Sequence, residues 1–315
     1  MQALWLENQK LAMRDISQSK KPDEAFIRIR LAGICSTDLE LVKGYYPFTG
    51  IPGHEFVGDV IDAPDKEWIG QRVVGEINAA CGKCEQCRDG RPTHCEHRTT
   101  LGISNRDGVF AEFTTLPMEN LHRIPALVPD EQAVFTEPLA AALEIQQQVQ
   151  IRPTDRVLLI GAGRLGQLIA QTLSLTGCGL HVLARHSNQQ KLLADRNIPL
   201  IAEDEIQPLR WDVVVEATGS SAGFNLARKA IRPRGTLVMK STYKGEMNVN
   251  FSSIVVDELT IVGSRCGPFE PALRLLEKRE VDPTMLIAER FKLSEAVRAF
   301  EKAAQPGVLK VLMGN

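Results

Sequence analysis

Hydrophobic and polar positions alternate in short runs over roughly the first 120 residues. Segments 25–30, 56–61 and 109–113 each read as strands, with Gly and Pro closing the gaps between them. Met1-Gln2-Ala3-Leu4-Trp5 also begins on a strand-like pattern. From about Glu131 the period changes. Leu139, Ala142, Leu143, Ile145 and Val149 predict a helix over 138–149. Strands then alternate with helical stretches: strands at 156–160, 180–184, 212–216, 235–240 and 259–262, and a helix at 166–175. That rhythm predicts βαβ units in a parallel sheet. An amphipathic helix from near Ser294 (Ala296, Val297, Phe300, Ala303) and a strand at 308–313 complete the pattern, with no internal repeat or low-complexity segment.

A chain of 315 residues has room for two domains with proper cores. Its 43% apolar and 24% charged residues are ordinary for a globular protein. A net charge of −2 without a basic block or stripe argues against nucleic-acid or acidic-membrane partners. Neither a signal-peptide pattern nor an apolar run of about 20 residues is visible, so a cytoplasmic location is expected. Reduced cysteines that cluster there suggest metal rather than disulfides.

The run VLLIGAGRLGQLIA (157–170) carries G-x-G-x-x-G as Gly161, Gly163 and Gly166, with an apolar strand before it and a helix after it. In that context Gly161 permits the tight turn, Gly163 lets backbone approach a pyrophosphate, and Gly166 lets helix and strand pack closely. Arg164 and Leu165 complete the turn ahead of a helix whose unpaired N–H groups favour phosphate, and they count among the cofactor-binding residues. A dinucleotide site is predicted.

CGKCEQCRDGRPTHC spaces Cys81, Cys84, Cys87 and Cys95 by two, two and seven residues. Four thiolates close a tetrahedral shell round zinc and leave no open position. An iron–sulfur run of similar beginning needs a gap of three and then Cys-Pro, whereas Glu96 follows Cys95 here. The expectation is a structural zinc.

Three dispersed motifs are bland singly. Cys35 in GICSTDLE suits a core thiol, His54 beside Glu55 in GIPGHEFVG a buried imidazole, and Glu137 in FTEPLA a helix-start acid. Together they also make a Cys/His/carboxylate set for a catalytic zinc with one position open.

In order along nearly the whole chain stand G-x-C-x-[ST]-D, G-H-E, the four-cysteine lobe, E-P, G-x-G-x-x-G and E-A-T-G. This succession resembles the zinc-dependent medium-chain alcohol dehydrogenase superfamily, nearer its polyol, sorbitol and threonine dehydrogenase branch than its liver-type branch. The resemblance implies an α/β protein: a GroES-like β-rich catalytic domain (1–148 and 284–315) with a Rossmann doubly wound parallel-sheet domain (149–283) inserted. It implies one catalytic and one structural zinc, an NAD(P) cofactor, a small alcohol or carbonyl substrate, and a homodimer or homotetramer. Cys35 and His54 match zinc ligands, Glu55 a direct or exchangeable carboxylate ligand, and Glu137 the polyol branch's glutamate ligand. Thr37 matches the hydroxyl that passes the substrate proton outward. Thr218, Gly219, Ser264 and Arg265 match positions lining the nicotinamide half of the cofactor, and an ordinary phosphate or surface role suits Arg265 equally.

The chain departs from that pattern in being short, with a clipped stretch after Ile61, and in having Glu40 where liver-type enzymes place an outer histidine. Tyr45, Tyr46 and Phe48 fit either a substrate-pocket wall or a packed aromatic turn. About 20 residues beyond the glycine turn, where the family's ribose-binding acid falls, stands Arg185 flanked by His186. An arginine fork suits a 2′-phosphate, so NADP is the expected cofactor and NAD the alternative. The rival readings are a non-catalytic, crystallin-like protein on the same scaffold and a zinc-independent enone or quinone reductase. Both are disfavoured by the joint presence of Cys35, His54, Glu55, Glu137 and the four-cysteine lobe.

Overall fold

The computed structural model describes residues 1–17, 20–243 and 246–314. The chain divides into two compact units, residues 1–137 with those from 269 onward, and residues 138–268.

The first unit opens on a hairpin, β1 (Gln2–Glu7) and β2 (Lys10–Asp15). Its turn residues Asn8 and Gln9 both have positive φ, the twist that two-residue hairpin turns require. There follow β3 (Glu24–Gly33), α1 (Ser36–Val42), β4 (Glu55–Asp62), β5 (Arg72–Gly75), β6 (Asn78–Ala79), α2 (Glu85–Arg88), β7 (Thr99–Thr100), β8 (Phe113–Pro117), β9 (Leu121–Arg123) and α3 (Asp130–Ala133). β3 and β4 cover the strands read over 25–30 and 56–61. Ile27, Ile29 and Val60 are buried, and at the start of β4 Phe56 and Val57 are both buried although they face opposite sides of the sheet.

The expected strand over 109–113 is a correction: regular strand begins only at Phe113. Val109, Phe110 and Ala111 are buried in succession, so the pattern there is not two-faced. Their backbone pairs irregularly. Phe110 N donates to Pro52 O at 3.2 Å, and Phe110 O accepts from Leu4 N at 2.8 Å.

α4 (Thr136–Gln148) leads into the second unit, where Gln146 donates to Thr172 O at 2.9 Å. The succession is β10 (Arg156–Ile160), α5 (Arg164–Ser174), β11 (Gly179–Leu183), α6 (Ser187–Ala194), β12 (Trp211–Glu216), α7 (Ser221–Ala230), β13 (Ile231–Met239), α8 (Phe251–Val256) and β14 (Thr260–Gly263). The five strands are parallel in the order β11-β10-β12-β13-β14. Val157 to Ile160 are all buried, as a strand covered on both faces must be. The order reverses at β10, and in open α/β sheets ligands bind at such a switch point beyond the carboxyl ends of the strands. A lone parallel bridge from Val182 to Leu200 stands where a further strand would extend the edge.

The chain returns to the first unit at α9 (Phe269–Glu277), where the Phe269 ring packs 5.2 Å from that of His122. β15 (Ile287–Lys292), α10 (Ala296–Ala303) and β16 (Lys310–Gly314) follow. The unit boundaries thus lie earlier in the chain than 148/149 and 283/284. β16 sits within the seven-stranded sheet, parallel to β15 and antiparallel to β3, in the order β15-β16-β3-β4-β5-β9 with β8 also on β3. No helix among the described residues is long and apolar enough to cross a membrane.

Candidate active site

Two clusters of metal-ligating side chains occur among the described residues. In the first, one donor atom from each of Cys81, Cys84, Cys87 and Cys95 lies within 4.8 Å of the others. Four sulfurs at zinc–thiolate distance in a tetrahedron stand about 3.8 Å apart. The sulfurs of Cys84 and Cys87 are 3.4 Å apart and those of Cys84 and Cys95 3.8 Å. Backbone N–H groups from Cys87 and Glu96 bring the Cys84 thiol down to about 6. Cys81 N and His97 N each point at Cys95 Sγ from 3.3 Å. Burial and the neighbouring sulfurs push the Cys87 thiol the other way, up to about 12, as expected of sulfurs crowded together.

The second cluster joins Cys35, His54 and Glu55 within the same 4.8 Å. Cys35 caps α1, where its N–H donates to Asp38 Oδ2 at 2.8 Å. His54 and Glu55 lie at the start of β4, both almost wholly buried. Thr37 accepts from the Cys35 thiol at 3.9 Å.

The fit to a cation is legible in what these groups lack. Glu55 Oε1 and Asp38 Oδ1 are buried without a hydrogen-bond partner, and His54 Nδ1 lies 3.3 Å from Asp38 Oδ1 without hydrogen-bond alignment. Burial works against protonating His54, yet the Asp38 carboxylate and the Cys35 sulfur outweigh it and hold the imidazole well above its usual pKa. The pocket favours positive charge, and its sulfur, nitrogen and oxygen donors suit zinc.

Sequence reasoning overlooked two residues. Asp38, the acid that ends G-x-C-x-[ST]-D, faces the histidine as an orienting carboxylate does at metal sites; its place at the third residue of a helix was the available signal. Lys310, from β16, donates to Glu55 Oε2 in the interior and lies 5.3 Å from the Phe135 ring centre. No local pattern announced it. Glu137 stands half-buried in the first turn of α4 and is not one of the clustered donors.

Also in the first unit, Tyr46, Phe48, Asn105 and Asp107 line a cavity of about 420 Å³. Tyr45 does not line it. Asp107 Oδ1 accepts from Ile51 N at 3.0 Å, three residues before His54.

In the second unit the glycine turn has the geometry its spacing demands. Gly161 has φ +104°, and a Cβ there would strike Thr218 and Ala217. A Cβ on Gly166 would lie 2.1 Å from Gly161 O, whereas one on Gly163 would meet nothing within 4 Å. That open side is where backbone can approach a phosphate. Arg164 and Leu165 begin α5 directly after Gly163. Arg185 and His186 follow β11, exposed, and His186 caps α6. Thr218 and Gly219 follow β12, Gly219 with φ +67°. Ser264 follows β14 and accepts from the buried Lys240 Nζ at 3.1 Å; Arg265 O accepts from the same nitrogen at 2.8 Å.

Residues 21–126 match the alcohol dehydrogenase GroES-like domain. D-arabinitol dehydrogenase 1 of Uromyces fabae is 31% identical, over 92% of this chain and 89% of its own. A dehydrogenase of Sinorhizobium meliloti 1021 in complex with NADP, described as zinc-binding, superposes with a TM-score of 0.91 at 26% identity, covering 100% of this chain and 99% of its own. RspB of E. coli CFT073 with NADH gives 0.90 at 26%, covering 100% and 99%. The chain therefore belongs to the zinc-type medium-chain alcohol dehydrogenase superfamily of NAD(P)-linked oxidoreductases.

Proposed function

We propose that this protein is a zinc-dependent dehydrogenase that moves a hydride between NADP(H), or less readily NAD(H), and an alcohol or polyol or its carbonyl counterpart. The observation that carries the reading is the buried convergence of Cys35, His54 and Glu55 with an unpartnered carboxylate oxygen. Cys35 and His54 would hold the catalytic ion, with Glu55 or Glu137 as the third protein ligand, and Cys81, Cys84, Cys87 and Cys95 a structural one. When bound, zinc polarises the substrate oxygen and the nicotinamide carries the hydride.

The chain's own residues bind, orient and move the proton. The Asp38 carboxylate stands 3.3 Å from the His54 imidazole, and Lys310 engages one oxygen of Glu55 and leaves the other without a partner. The Thr37 hydroxyl, beside Cys35, takes the substrate proton and passes it outward. Glu40, where liver-type enzymes place an outer histidine, is paired with Lys43 at 2.7 Å. The aromatic and polar lining of the 420 Å³ cavity suits a hydroxylated carbon chain. The backbone from Gly161 to Gly166 receives the pyrophosphate, Arg185 with His186 the 2′-phosphate, and Thr218, Gly219, Ser264 and Arg265 flank the nicotinamide.

Metal analysis together with a panel of polyols, sugars, amino alcohols and simple alcohols, each with both cofactors, tests this reading. About two zinc per chain and turnover of at least one class support it. One zinc per chain with no turnover leaves a structural lobe on a non-catalytic protein and overturns it.

A further inference from the structure

Glu216 is the last residue of β12 and is wholly buried, yet it is a charged group to which the reaction assigns no part. A carboxylate in such a place must have its lone pairs met. Its Oε1 accepts from Thr218 N at 2.7 Å and from the Thr218 hydroxyl, while Oε2 accepts from the Tyr243 hydroxyl. The backbone joins in: Lys240 N donates to Glu216 O at 2.9 Å, which ties the residue after β13 to the end of β12.

Each partner reaches further. Thr218 Oγ1 lies 2.8 Å from Ser220 Oγ, and Ser220 caps α7 by accepting from Gly223 N at 3.1 Å. The Thr218 methyl backs onto Gly161, close enough that a Cβ there would be 2.9 Å from it. Gly223 has to be glycine for the arrangement to exist, because a Cβ would fall 2.1 Å from Thr218 Oγ1 and 2.7 Å from Glu216 Oε1. One buried carboxylate thus links three segments at the carboxyl end of the sheet: the glycine turn after β10, residues 217–220 after β12, and Tyr243 after β13.

We propose that Glu216 and Tyr243 form a positioning clamp that fixes the spacing of these segments and so shapes the crevice for the nicotinamide half of the dinucleotide. The clamp rests on the reading of this unit as the dinucleotide site. Burial, together with the Glu216 carboxylate, keeps the Tyr243 hydroxyl protonated well above its usual range, so the donor persists at every physiological pH. Neither side chain transfers a proton or touches the reacting atoms in this scheme.

The test separates the two halves of the cofactor. Quenching of protein fluorescence measures affinity for NADPH or NADH, whichever the wild type holds more tightly. Titration of 2′-phospho-ADP-ribose or ADP-ribose measures affinity for the same molecule without its nicotinamide. Tyr243→Phe removes one hydroxyl at a half-buried position, Glu216→Gln keeps the shape and the acceptor for Thr218, and Glu216→Leu removes both. The expected result is a dissociation constant for the whole cofactor raised about tenfold by Tyr243→Phe and more by Glu216→Leu, with Glu216→Gln recovering most of the loss. The constant for the fragment should move less than twofold in Tyr243→Phe. Equal weakening of fragment and whole cofactor would reduce the pair to a general structural role and overturn the clamp, as would unchanged binding of both. Should Glu216→Leu not fold, the Tyr243→Phe comparison decides alone. A wild type that binds neither NADPH nor NADH would instead overturn the functional reading, and the clamp with it.

Discussion

Lys310 and Glu55 stand 255 positions apart in sequence and meet as an ion pair in the interior of the first unit, each exposed by less than 5%. Removing one partner of such a pair strands a buried charge, at about 3–5 kcal/mol. Lys310→Met is therefore expected to lower stability by that order in urea unfolding of metal-free protein. Lys310→Met combined with Glu55→Gln should recover at least half, because no bare carboxylate remains. A double variant as unstable as the single one would mean that packing of the lysine stem, not charge, is what β16 contributes there.

Arg185 sets the second expectation. Arg185→Asp replaces a guanidinium fork by a group that repels a 2′-phosphate and accepts from a 2′-hydroxyl. The ratio of kcat/KM for NADPH over NADH should fall by at least tenfold. Steady-state kinetics with both cofactors checks it, and an unchanged ratio would place Arg185 in solvent only.

Metal content should fall in separate steps. Cys87→Ser is expected to retain about one zinc per chain and to unfold at lower temperature. Cys35→Ser should also retain about one, with activity lost and the melting temperature nearly kept. Atomic emission on dialysed protein reads the metal and scanning calorimetry the stability. Equal destabilisation by both would argue against a division between staple and catalyst.

Glu24 supplies a pH dependence. Burial raises its pKa, but the Arg106 guanidinium, bonded to both of its oxygens at 2.8 and 2.9 Å, outweighs that and holds it below the ordinary value of 4.5. A depressed folded-state pKa means stability that is fully present above 4.5 and lost as pH falls through the lower folded value. Glu24→Gln should thus be less stable than wild type near neutrality, and the gap should close in acid. Unfolding free energies from pH 7 down to 3 test this; a gap that stays constant would detach the pair from the acid response.

The parts legible in the sequence are those whose chemistry is local. The glycine turn needs three glycines within six residues, and the cysteine lobe four thiols within fifteen, so spacing alone defined them. Cys35, His54 and Glu55 were readable only as a set, because their convergence depends on the end of β3 pairing with the start of β4, Gly33 opposite Glu55. Lys310, and the grip of Glu216 on Tyr243, carry no such signature. Each joins residues that only strand register brings together. The strand expected over 109–113 failed for a related reason: Val109, Phe110 and Ala111 are buried in succession within an irregular pairing, and alternation cannot distinguish that from a regular strand.

The position of β16 within the sheet has a consequence for how the protein is made. β3 and β4 leave the ribosome early, but the strand that lies beside β3 and the lysine that neutralises Glu55 are translated only after the whole of the second unit. Domains generally fold as units during synthesis. Here every strand of the second unit precedes β15 and β16 in the chain, so its sheet has all of its strands before that of the first unit does. The first unit lacks the partner of Glu55 until residue 310 has been made.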